Sequence, residues 1–466
     1  MLSIPAFSQA LCKLVVSLDL SFNCVGSICL NNKEPSGAPS AVIGPSKPRL
    51  WRVLGPGLIT GAADDDPSGI ATYSQAGAQF GFGLAWTLLF TYPLMVVIQA
   101  ISARIGRTTG RGIAGNIRVY YANWLLQTVV GLLFVANTFN IGADLGAMAA
   151  ASQLLLPAVP PWAYLLVFSF ICMAGQIFMH HTRYVAVLKW LTLSLFAYFA
   201  VLCVVHIPWL ELLKGLLWPR FAPDRDFWLT VVAILGTTIS PYLFFWQAAQ
   251  EVEDTKAEPV REPLRRRPSQ GPDALARIQL DTIVGMAISN LVALAILATT
   301  AATLHAGGVH DLTSAAQAAE ALRPIAGRFA FALFALGIIG TGLLSVPVLA
   351  GSAAYALGEA RRWPVGLSRQ PLQAKAFYAT ITAATLMGAA ANVLSISPVK
   401  ALVWSAVVNA IVAVPVMALL MRMATNVKIL GDFTISRAWS IIGWLATGVM
   451  AIASIVFMIS LLLPRA

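Results

Sequence analysis

Three consecutive aspartates, Asp64, Asp65 and Asp66, interrupt an apolar, small-residue segment that reads Ala-Ala-Asp-Asp-Asp-Pro-Ser-Gly-Ile-Ala-Thr-Tyr over residues 62–73. A carboxylate at the centre of a bilayer costs at least about 2.5–3.5 kcal/mol on insertion scales. Neighbouring carboxylates also repel one another, and they stay ionised together only when a cation neutralises them. Since residues 53–103 contain no lysine or arginine, we expect that cation to come from solution.

Hard divalent cations prefer oxygen ligands, namely carboxylate, carbonyl, hydroxyl and water. Asp66 stands directly before a proline, where a helix breaks and frees carbonyls such as that of Ala63. A second break, at a Ser-Pro pair in the second half of the chain, offers hydroxyl oxygens and no sulfur. The ligands predicted from these residues are Asp66, the Ala63 carbonyl, Thr237 and Ser240.

Asp64 and Asp65 are expected to act differently from Asp66. We predict that they lie toward an aqueous vestibule, where their negative field concentrates cations without ligating them. The alternative is a solvated polar helix end that takes no part in transport.

The elements that position these residues are predicted to be transmembrane helices. The chain of 466 residues is 58% hydrophobic and only 11% charged, with a mean hydropathy of +0.75, which is typical of a polytopic membrane protein. A helix of about 20 apolar residues spans a bilayer, and lipid cannot satisfy exposed backbone groups. The eleven predicted spans lie near residues 56–80, 85–104, 122–155, 162–180, 185–206, 228–249, 279–304, 327–357, 375–394, 399–423 and 437–463.

The first and the sixth of these spans are interrupted by proline beside polar residues, at Asp66-Pro67 and Ser240-Pro241. A simple proline kink would explain one break. Non-helical backbone at membrane depth survives only where it is buried in protein or lines a cavity, and two breaks at matched positions fit inverted repeats with substrate between them. The predicted fold is an all-α polytopic membrane protein of about 11 transmembrane helices, with a LeuT-like inverted repeat of helices 1–5 and 6–10.

The net charge of +11 comes from basic residues whose positions agree with the predicted membrane topology. Most Lys and Arg residues fall in the N-terminal tail and in the loops on the same side of the membrane, which is the positive-inside pattern. This distribution predicts a cytoplasmic N-terminus in a bacterial inner (plasma) membrane. It also argues against nucleic acid as the partner of the basic residues.

The chain is predicted to consist of a tail and one membrane domain. Residues 1–48 form the tail, which ends in a Pro-, Gly- and Ser-rich stretch, and residues 49–466 form the transmembrane domain. Within that domain, residues 251–278 are predicted to be a charged, flexible cytoplasmic loop. Residues 305–328 are predicted to be an external loop that contains a short surface helix.

Several motifs, in this order, resemble the Nramp family of divalent-metal transporters. They are the segment 55–90 around the first break, Ala-Arg-Ile-Gly-Arg-Thr-Thr-Gly-Arg-Gly over 103–112, Gly-Ala-Asp-Leu-Gly-Ala-Met over 142–148 and Trp-Ser-Ala-Val-Val-Asn over 404–409. The resemblance extends over about residues 50–460. It implies the broken-helix fold and the transport of a divalent metal ion as cargo, with no resident cofactor.

The predicted metal site departs from the family's pattern. Asp66 matches the family's aspartate, but Gly69 stands where the family has a metal-binding asparagine, which adds position 69 to the predicted site. Ser240 stands at a methionine position and Ala406 at a glutamine position. A site without the thioether and the two amides is wider and harder, so the ion keeps much of its water, as Mg²⁺ does. These replacements resemble the Nramp-related magnesium transporters, which implies transport of Mg²⁺ and Mn²⁺.

The family's proton route is also incomplete in this sequence. Asp144 is kept as the candidate proton site, but Ala147 replaces the family's glutamate. Tyr242 and Gln247 stand where the family has histidines, and the ninth span contains no arginine. We therefore predict transport without obligatory proton coupling, with Asp144 as a buried structural residue.

Three alternatives differ from this prediction. The first is a proton-coupled Mn²⁺/Fe²⁺ symporter of ordinary Nramp type, in which Asp144 takes the proton. The second is an organic-solute symporter of the same fold, whose substrate carboxylate the three aspartates would repel. The third is a membrane enzyme that binds magnesium diphosphate, which would need a second Asp-rich motif that the sequence lacks. No enzyme is expected, and the oligomeric state is left open.

Overall fold

The computed structural model describes residues 55–179, 206–219, 221, 224–258, 260–312, 314–320, 330–392 and 397–462. Within these ranges all regular structure is helical. The α-helices are α1 (Pro56–Asp64), α2 (Pro67–Phe80), α3 (Ala85–Thr109), α4 (Ile113–Tyr120), α5 (Asn123–Leu155), α6 (Pro161–Phe178), α7 (Trp209–Leu217), α8 (Arg225–Thr238), α9 (Pro241–Ala257), α10 (Gly271–Thr300), α11 (Ala315–Glu320), α12 (Ala330–Arg361), α13 (Lys375–Ala391), α14 (Pro398–Ala424), α15 (Val427–Leu430) and α16 (Arg437–Leu462).

These helices agree with the predicted spans over the part of the chain that the structure describes. Eight segments there are long and apolar enough to cross a membrane. The first predicted span is the pair α1 and α2, and the sixth is the pair α8 and α9. Each of the other spans that the structure describes corresponds to one helix. The exceptions are the fifth span, 185–206, which apart from its last residue lies outside the described residues, and the tail over 1–48, which lies wholly outside them.

Proline explains where both broken helices stop and restart. The residue before a proline is pushed out of the α region, and Asp66 (ψ 171°) and Ser240 (ψ 133°) are both extended. Pro67 and Pro241 then occupy the first position of the next helix, where a backbone N–H would have no helical acceptor. The two breaks are therefore specified by local sequence.

The packing of the helices repeats between the two halves of the chain. Both halves of the first broken helix, α1 and α2, pack along α10. The pairing of α2 with α10 has its equivalent in the other repeat, where α9, the second half of the other broken helix, packs along α3. The long helices α5 and α12 pack along each other. These are the pairings expected of two inverted five-helix repeats, and they place both breaks inside the bundle.

The two ends of the helix bundle are called the outer and the inner end, after the predicted orientation in the membrane. The outer end carries Phe80, Arg225 and Pro398, and the inner end carries Gly55 and Gly271. The described part of the predicted external loop over 305–328 lies at the outer end, where α11 forms a short helix. Residues 313 and 321–328 of that loop lie outside the described residues.

The loop predicted over residues 251–278 is shorter and more firmly held than expected. The helix α9 continues to Ala257, and α10 already begins at Gly271. On the connecting segment, Gln270 accepts a hydrogen bond from the Arg107 guanidinium of α3 at 2.9 Å. The expectation of a long flexible loop is corrected here, because a charged and proline-rich composition does not reveal a partner on a distant helix.

The close contact of α1 with α10 allows a direct test of this packing. A Cβ added at Gly285 would lie 2.2 Å from the Gly57 carbonyl oxygen. We expect Gly285→Ala to force the two helices apart at a cost of about 1–3 kcal/mol, which is usual for overpacking, and to lower the melting temperature in detergent. The control is Gly448→Ala, because a Cβ there meets nothing within 4 Å. Equal melting temperatures for the two variants would contradict this packing.

Candidate metal site

Asp66 lies at the first break, where its side chain caps α2. Its Oδ1 accepts hydrogen bonds from the Gly69 N–H at 2.8 Å and from the Ser68 hydroxyl at 2.5 Å. The residue is only 1% exposed. A helix N-terminus stabilises negative charge, so this cap fixes one carboxylate oxygen and leaves Oδ2 for partners on other helices.

The second carboxylate oxygen of Asp66 meets two residues from distant parts of the chain. Asn140 Nδ2 of α5 lies 3.3 Å from Oδ2, and the Tyr242 hydroxyl of α9 lies 3.4 Å from it. Both distances exceed the roughly 2.9 Å of a typical hydrogen bond, so Oδ2 is held loosely. Asn140 is not among the residues predicted from the sequence, although it lies one helical turn before Asp144, and Tyr242 was not predicted to contact the metal site.

Each break frees a backbone carbonyl, because the proline four residues later has no N–H to donate. At the first break this is the carbonyl of Ala63, which accepts from the Tyr242 hydroxyl at 2.8 Å. At the second break it is the carbonyl of Thr237, which the Ser240 hydroxyl reaches at 3.1 Å in addition to a 2.6 Å bond to the Gly236 carbonyl. In both broken helices a hydroxyl replaces the donor that proline removed.

The two breaks meet at Gly69 and Thr237. A Cβ added at Gly69 would lie 3.1 Å from Thr237 Oγ1 and 3.2 Å from the Asp64 carbonyl oxygen. The Thr237 hydroxyl oxygen is buried and has no hydrogen-bond partner. The structure thus brings Asp66, Ala63, Gly69 and Thr237 into one buried region, while the Ser240 hydroxyl turns back to α8. Their role as metal ligands stays a prediction.

Asp66 is the acidic group of this region that faces the second break. Among the described residues, no three His, Cys, Asp or Glu side chains cluster in a way that could hold a metal ion. The oxygens gathered around Asp66 belong instead to neutral carbonyl, amide and hydroxyl groups. One carboxylate with neutral oxygens suits a cation that keeps several of its waters.

Asp64 and Asp65 do not face water in this structure. They are 1% and 0% exposed. Asp64 Oδ2 accepts from the Ser289 hydroxyl of α10 at 2.8 Å, whereas neither carboxylate oxygen of Asp65 has a hydrogen-bond partner. The predicted vestibule is therefore not formed by these two residues in this conformation, because α10 covers the end of α1.

Asp144 lies on α5, one turn beyond Asn140, and is fully buried. Its Oδ2 accepts from the Ser345 hydroxyl of α12 at 2.7 Å, and its Oδ1 has no partner. A hydroxyl bond between α5 and α12 fits the structural role that we predicted, but an acceptor with a free oxygen also fits a proton site. Its role therefore stays a prediction.

A cavity of about 490 Å³ lies at the outer end between α2, α8 and α14. Its polar lining consists of Gln75, Gln79, Arg225, Asp226, Thr230, Asp311 and Lys400. A narrower gap of about 30 Å³ shares Leu312 and Val399 with this cavity and reaches Ile70 and Ala147. Ile70 follows Gly69 directly, so this small and mostly apolar gap comes near the first break.

At the inner end, charged side chains of α10 contact both α1 and α9. Asp281 accepts from three backbone N–H groups at the start of α1, at 2.7, 2.9 and 3.2 Å. Arg277, one turn earlier, forms a 2.5 Å ion pair with Glu251 of α9. Since α1 and α9 are the inner halves of the two broken helices, α10 holds both of them together.

Comparisons with known proteins agree with this architecture. A family model described as "Natural resistance-associated macrophage protein-like" (Nramp) matches residues 57–460. The chain is 31% identical to the divalent metal cation transporter MntH of Chromohalobacter salexigens, over 64% of this chain and 69% of that protein. It is 26% identical to MntH of Aeromonas hydrophila, over 65% and 72%.

Two solved structures share the fold. The crystal structure of the Eremococcus coleocola manganese transporter superimposes with a TM-score of 0.70 at 18% identity, covering 90% of this chain and 88% of that chain. Mhp1, a nucleobase-cation-symport-1 family transporter in a closed conformation, superimposes with a TM-score of 0.50 at 12% identity, covering 88% and 92%.

Proposed function

This chain is a member of the Nramp family, and we propose that it carries Mg²⁺, together with Mn²⁺, into the cell without obligatory proton coupling. Family membership makes it a multi-pass integral membrane protein that transports divalent metal cations. It is a transporter and not an enzyme, and the metal ion is its cargo and not a cofactor. The transport of Mg²⁺ and the absence of obligatory proton coupling are proposals.

The observation that carries the magnesium proposal is the chemistry of the two breaks. The segments 56–80 and 228–249 contain no Cys or Met, so the breaks offer oxygen ligands only. Thioether sulfur selects softer transition metals, whereas Mg²⁺ takes oxygen and dehydrates reluctantly. At position 240 a serine hydroxyl stands where the family has a methionine sulfur. This substitution supports a site that accepts a hydrated, hard cation.

The mechanism that we infer is alternating access around Asp66. The ion approaches from the outer cavity and reaches the carboxylate between the two breaks. Release on the inner side requires α1 and α9 to part, which breaks the contacts of Asp281 and Arg277 with those helices. The membrane potential drives inward flow, because moving a divalent cation across 100 mV releases about 4.6 kcal/mol.

Uncoupled transport is supported by the surroundings of Asp144. The helix α5 has Ala147 at the position of the family's glutamate, and the predicted ninth span, α13, contains no arginine. Tyr242, which contacts Ala63 and Asp66, stands where the family's proton route has a histidine. The alternative, a proton-coupled Mn²⁺/Fe²⁺ symporter, needs Asp144 to take the proton by itself.

Asp144→Asn separates these two accounts. Asparagine keeps an oxygen acceptor for the Ser345 hydroxyl and cannot carry the proton. We expect Mg²⁺ uptake into proteoliposomes at fixed membrane potential to stay within about two-fold of wild type, as is usual where only a neutral structural contact changes. Loss of uptake in a variant with an unchanged melting temperature would favour the proton-coupled symporter.

A bacterial inner membrane with a cytoplasmic N-terminus remains part of this proposal. The Lys and Arg distribution supports that orientation. It places the outer cavity on the periplasmic face and the contacts of Asp281 on the cytoplasmic face. The oligomeric state does not enter the mechanism, because the predicted ligands all belong to one chain.

A further inference from the structure

The Tyr242 hydroxyl occupies a position that a directly bound cation would need. It donates to the Ala63 carbonyl at 2.8 Å and lies 3.4 Å from Asp66 Oδ2. The side chain is 0% exposed. One phenol group therefore contacts both a predicted carbonyl ligand and the predicted carboxylate ligand.

The Ala63 carbonyl needs this hydrogen bond. In a continuous helix its donor would be the N–H of residue 67, but residue 67 is a proline. An unpaired buried carbonyl is costly, so either a hydroxyl or a cation must satisfy it. In this structure Tyr242 does so, and a cation that coordinates the carbonyl oxygen directly has to compete with the hydroxyl.

The bond also joins two helices that must move. Ala63 lies near the end of α1, and Tyr242 is the second residue of α9. These are the inner halves of the two broken helices. The hydroxyl therefore links them directly at the first break, on the inner side of Asp66.

We propose that Tyr242 determines the ion selectivity of the site by holding the Ala63 carbonyl, so that the bound ion keeps water between itself and that oxygen. This inference rests on the proposed function. An ion that retains its water leaves the Tyr242–Ala63 bond in place and finds the phenol oxygen as an acceptor for one of its waters. An ion that sheds its water more readily, such as Mn²⁺, gains less from the site while the carbonyl is occupied.

The test is Tyr242→Phe, which removes the hydroxyl and keeps the ring. With the carbonyl free, we expect the KM for Mn²⁺ uptake to fall about ten-fold, a typical size for a change in one pocket contact. The KM for Mg²⁺ should change by less than about two-fold. Binding of each ion to the purified protein, measured by calorimetry, should show the same shift in ratio and thereby separate affinity from turnover.

Tyr378→Phe is the matched control. Tyr378 lies on α13, which packs against α5, α6 and α12, is 6% exposed, and donates its hydroxyl to the Arg369 carbonyl at 2.9 Å. Removing that hydroxyl should leave the Mn²⁺ to Mg²⁺ ratio at the wild-type value. Both variants should retain the melting temperature of wild type to within a few degrees, since each loses one hydrogen bond from a phenol to a backbone carbonyl.

Two outcomes would overturn the inference while leaving the proposed function intact. One is an unchanged Mn²⁺ to Mg²⁺ ratio in Tyr242→Phe, in a background where wild type takes up Mg²⁺. The other is an equal rise of both KM values, which would make the Tyr242 oxygen an attractive contact for either ion. Absence of Mg²⁺ uptake by wild type would instead refute the proposed function itself.

Discussion

Asp66→Asn is expected to reduce Mg²⁺ and Mn²⁺ uptake about 100-fold, at the upper end of the effects seen when groups around a metal are replaced. Asparagine still offers an oxygen to the Gly69 N–H and the Ser68 hydroxyl, so α2 keeps its cap. The variant loses the negative charge and the second acceptor oxygen, which faces Asn140 and Tyr242. Without the charge the site has neutral oxygens alone, which cannot compensate a divalent cation for its water.

The asparagine variant separates charge from folding. Asp66→Ala would also remove the cap, at a cost of about 1 kcal/mol, so its loss of uptake would have two causes. Asp432→Asn, at an exposed position outside the membrane helices, is the control and should retain wild-type uptake. Uptake by Asp66→Asn at more than about a third of the control rate would contradict the assignment of Asp66 as the central ligand.

The double variant Gly69→Asn/Ser240→Met is expected to shift the preference from Mg²⁺ toward Mn²⁺ about ten-fold, which corresponds to about 1.4 kcal/mol. The thioether adds a soft ligand that Mn²⁺ tolerates better than Mg²⁺ does, and the amide adds a second inner ligand. The ratio of initial uptake rates for the two ions, measured in competition in the same vesicles, reports the shift.

The structure adds a constraint to this double variant. A side chain at position 69 meets Thr237 Oγ1 at 3.1 Å from its Cβ, so the new amide must pack against a hydroxyl that has no partner at present. Methionine at 240 also removes the hydroxyl that reaches the carbonyls of Gly236 and Thr237. Each single variant is therefore measured beside the double variant. An unchanged ratio in all three folded proteins would mean that these side chains do not set selectivity.

The breaks could be predicted from sequence because their cause is local. A proline excludes helical backbone at the residue before it and removes one N–H. Two prolines beside small and polar residues therefore located both breaks, and hydrophobic length located the helices around them. The capping role of Asp66 is equally local, since its partners lie two and three residues away.

The partners across the bundle could not be predicted in the same way. Tyr242 and Ala63 are 179 positions apart, and Asn140 and Asp66 are 74 positions apart. No periodicity or spacing encodes such contacts, which arise only when α9 and α5 pack beside the first break. Tyr242 could be compared with the family's histidine in the alignment of motifs, but its contact with the Ala63 carbonyl required the fold.

The burial of Asp64 and Asp65 has the same origin. Their charge and their position at the end of an apolar helix predicted exposure to water. The close approach of α1 to α10 through Gly57 and Gly285 instead covers them, and Ser289 supplies a donor to Asp64. The residue type therefore indicated a hydrogen-bond partner correctly for Asp64 but not for Asp65, whose two carboxylate oxygens have none.

Transport of Mg²⁺ by this protein without movement of protons is tested most directly by one measurement. Purified wild-type protein in liposomes, at a fixed inside-negative potential, is given Mg²⁺ or Mn²⁺ while internal metal and internal pH are recorded together. We predict entry of both ions, driven by the potential, with no internal acidification. Entry of Mn²⁺ alone, accompanied by acidification, would contradict the account and show a proton-coupled manganese symporter.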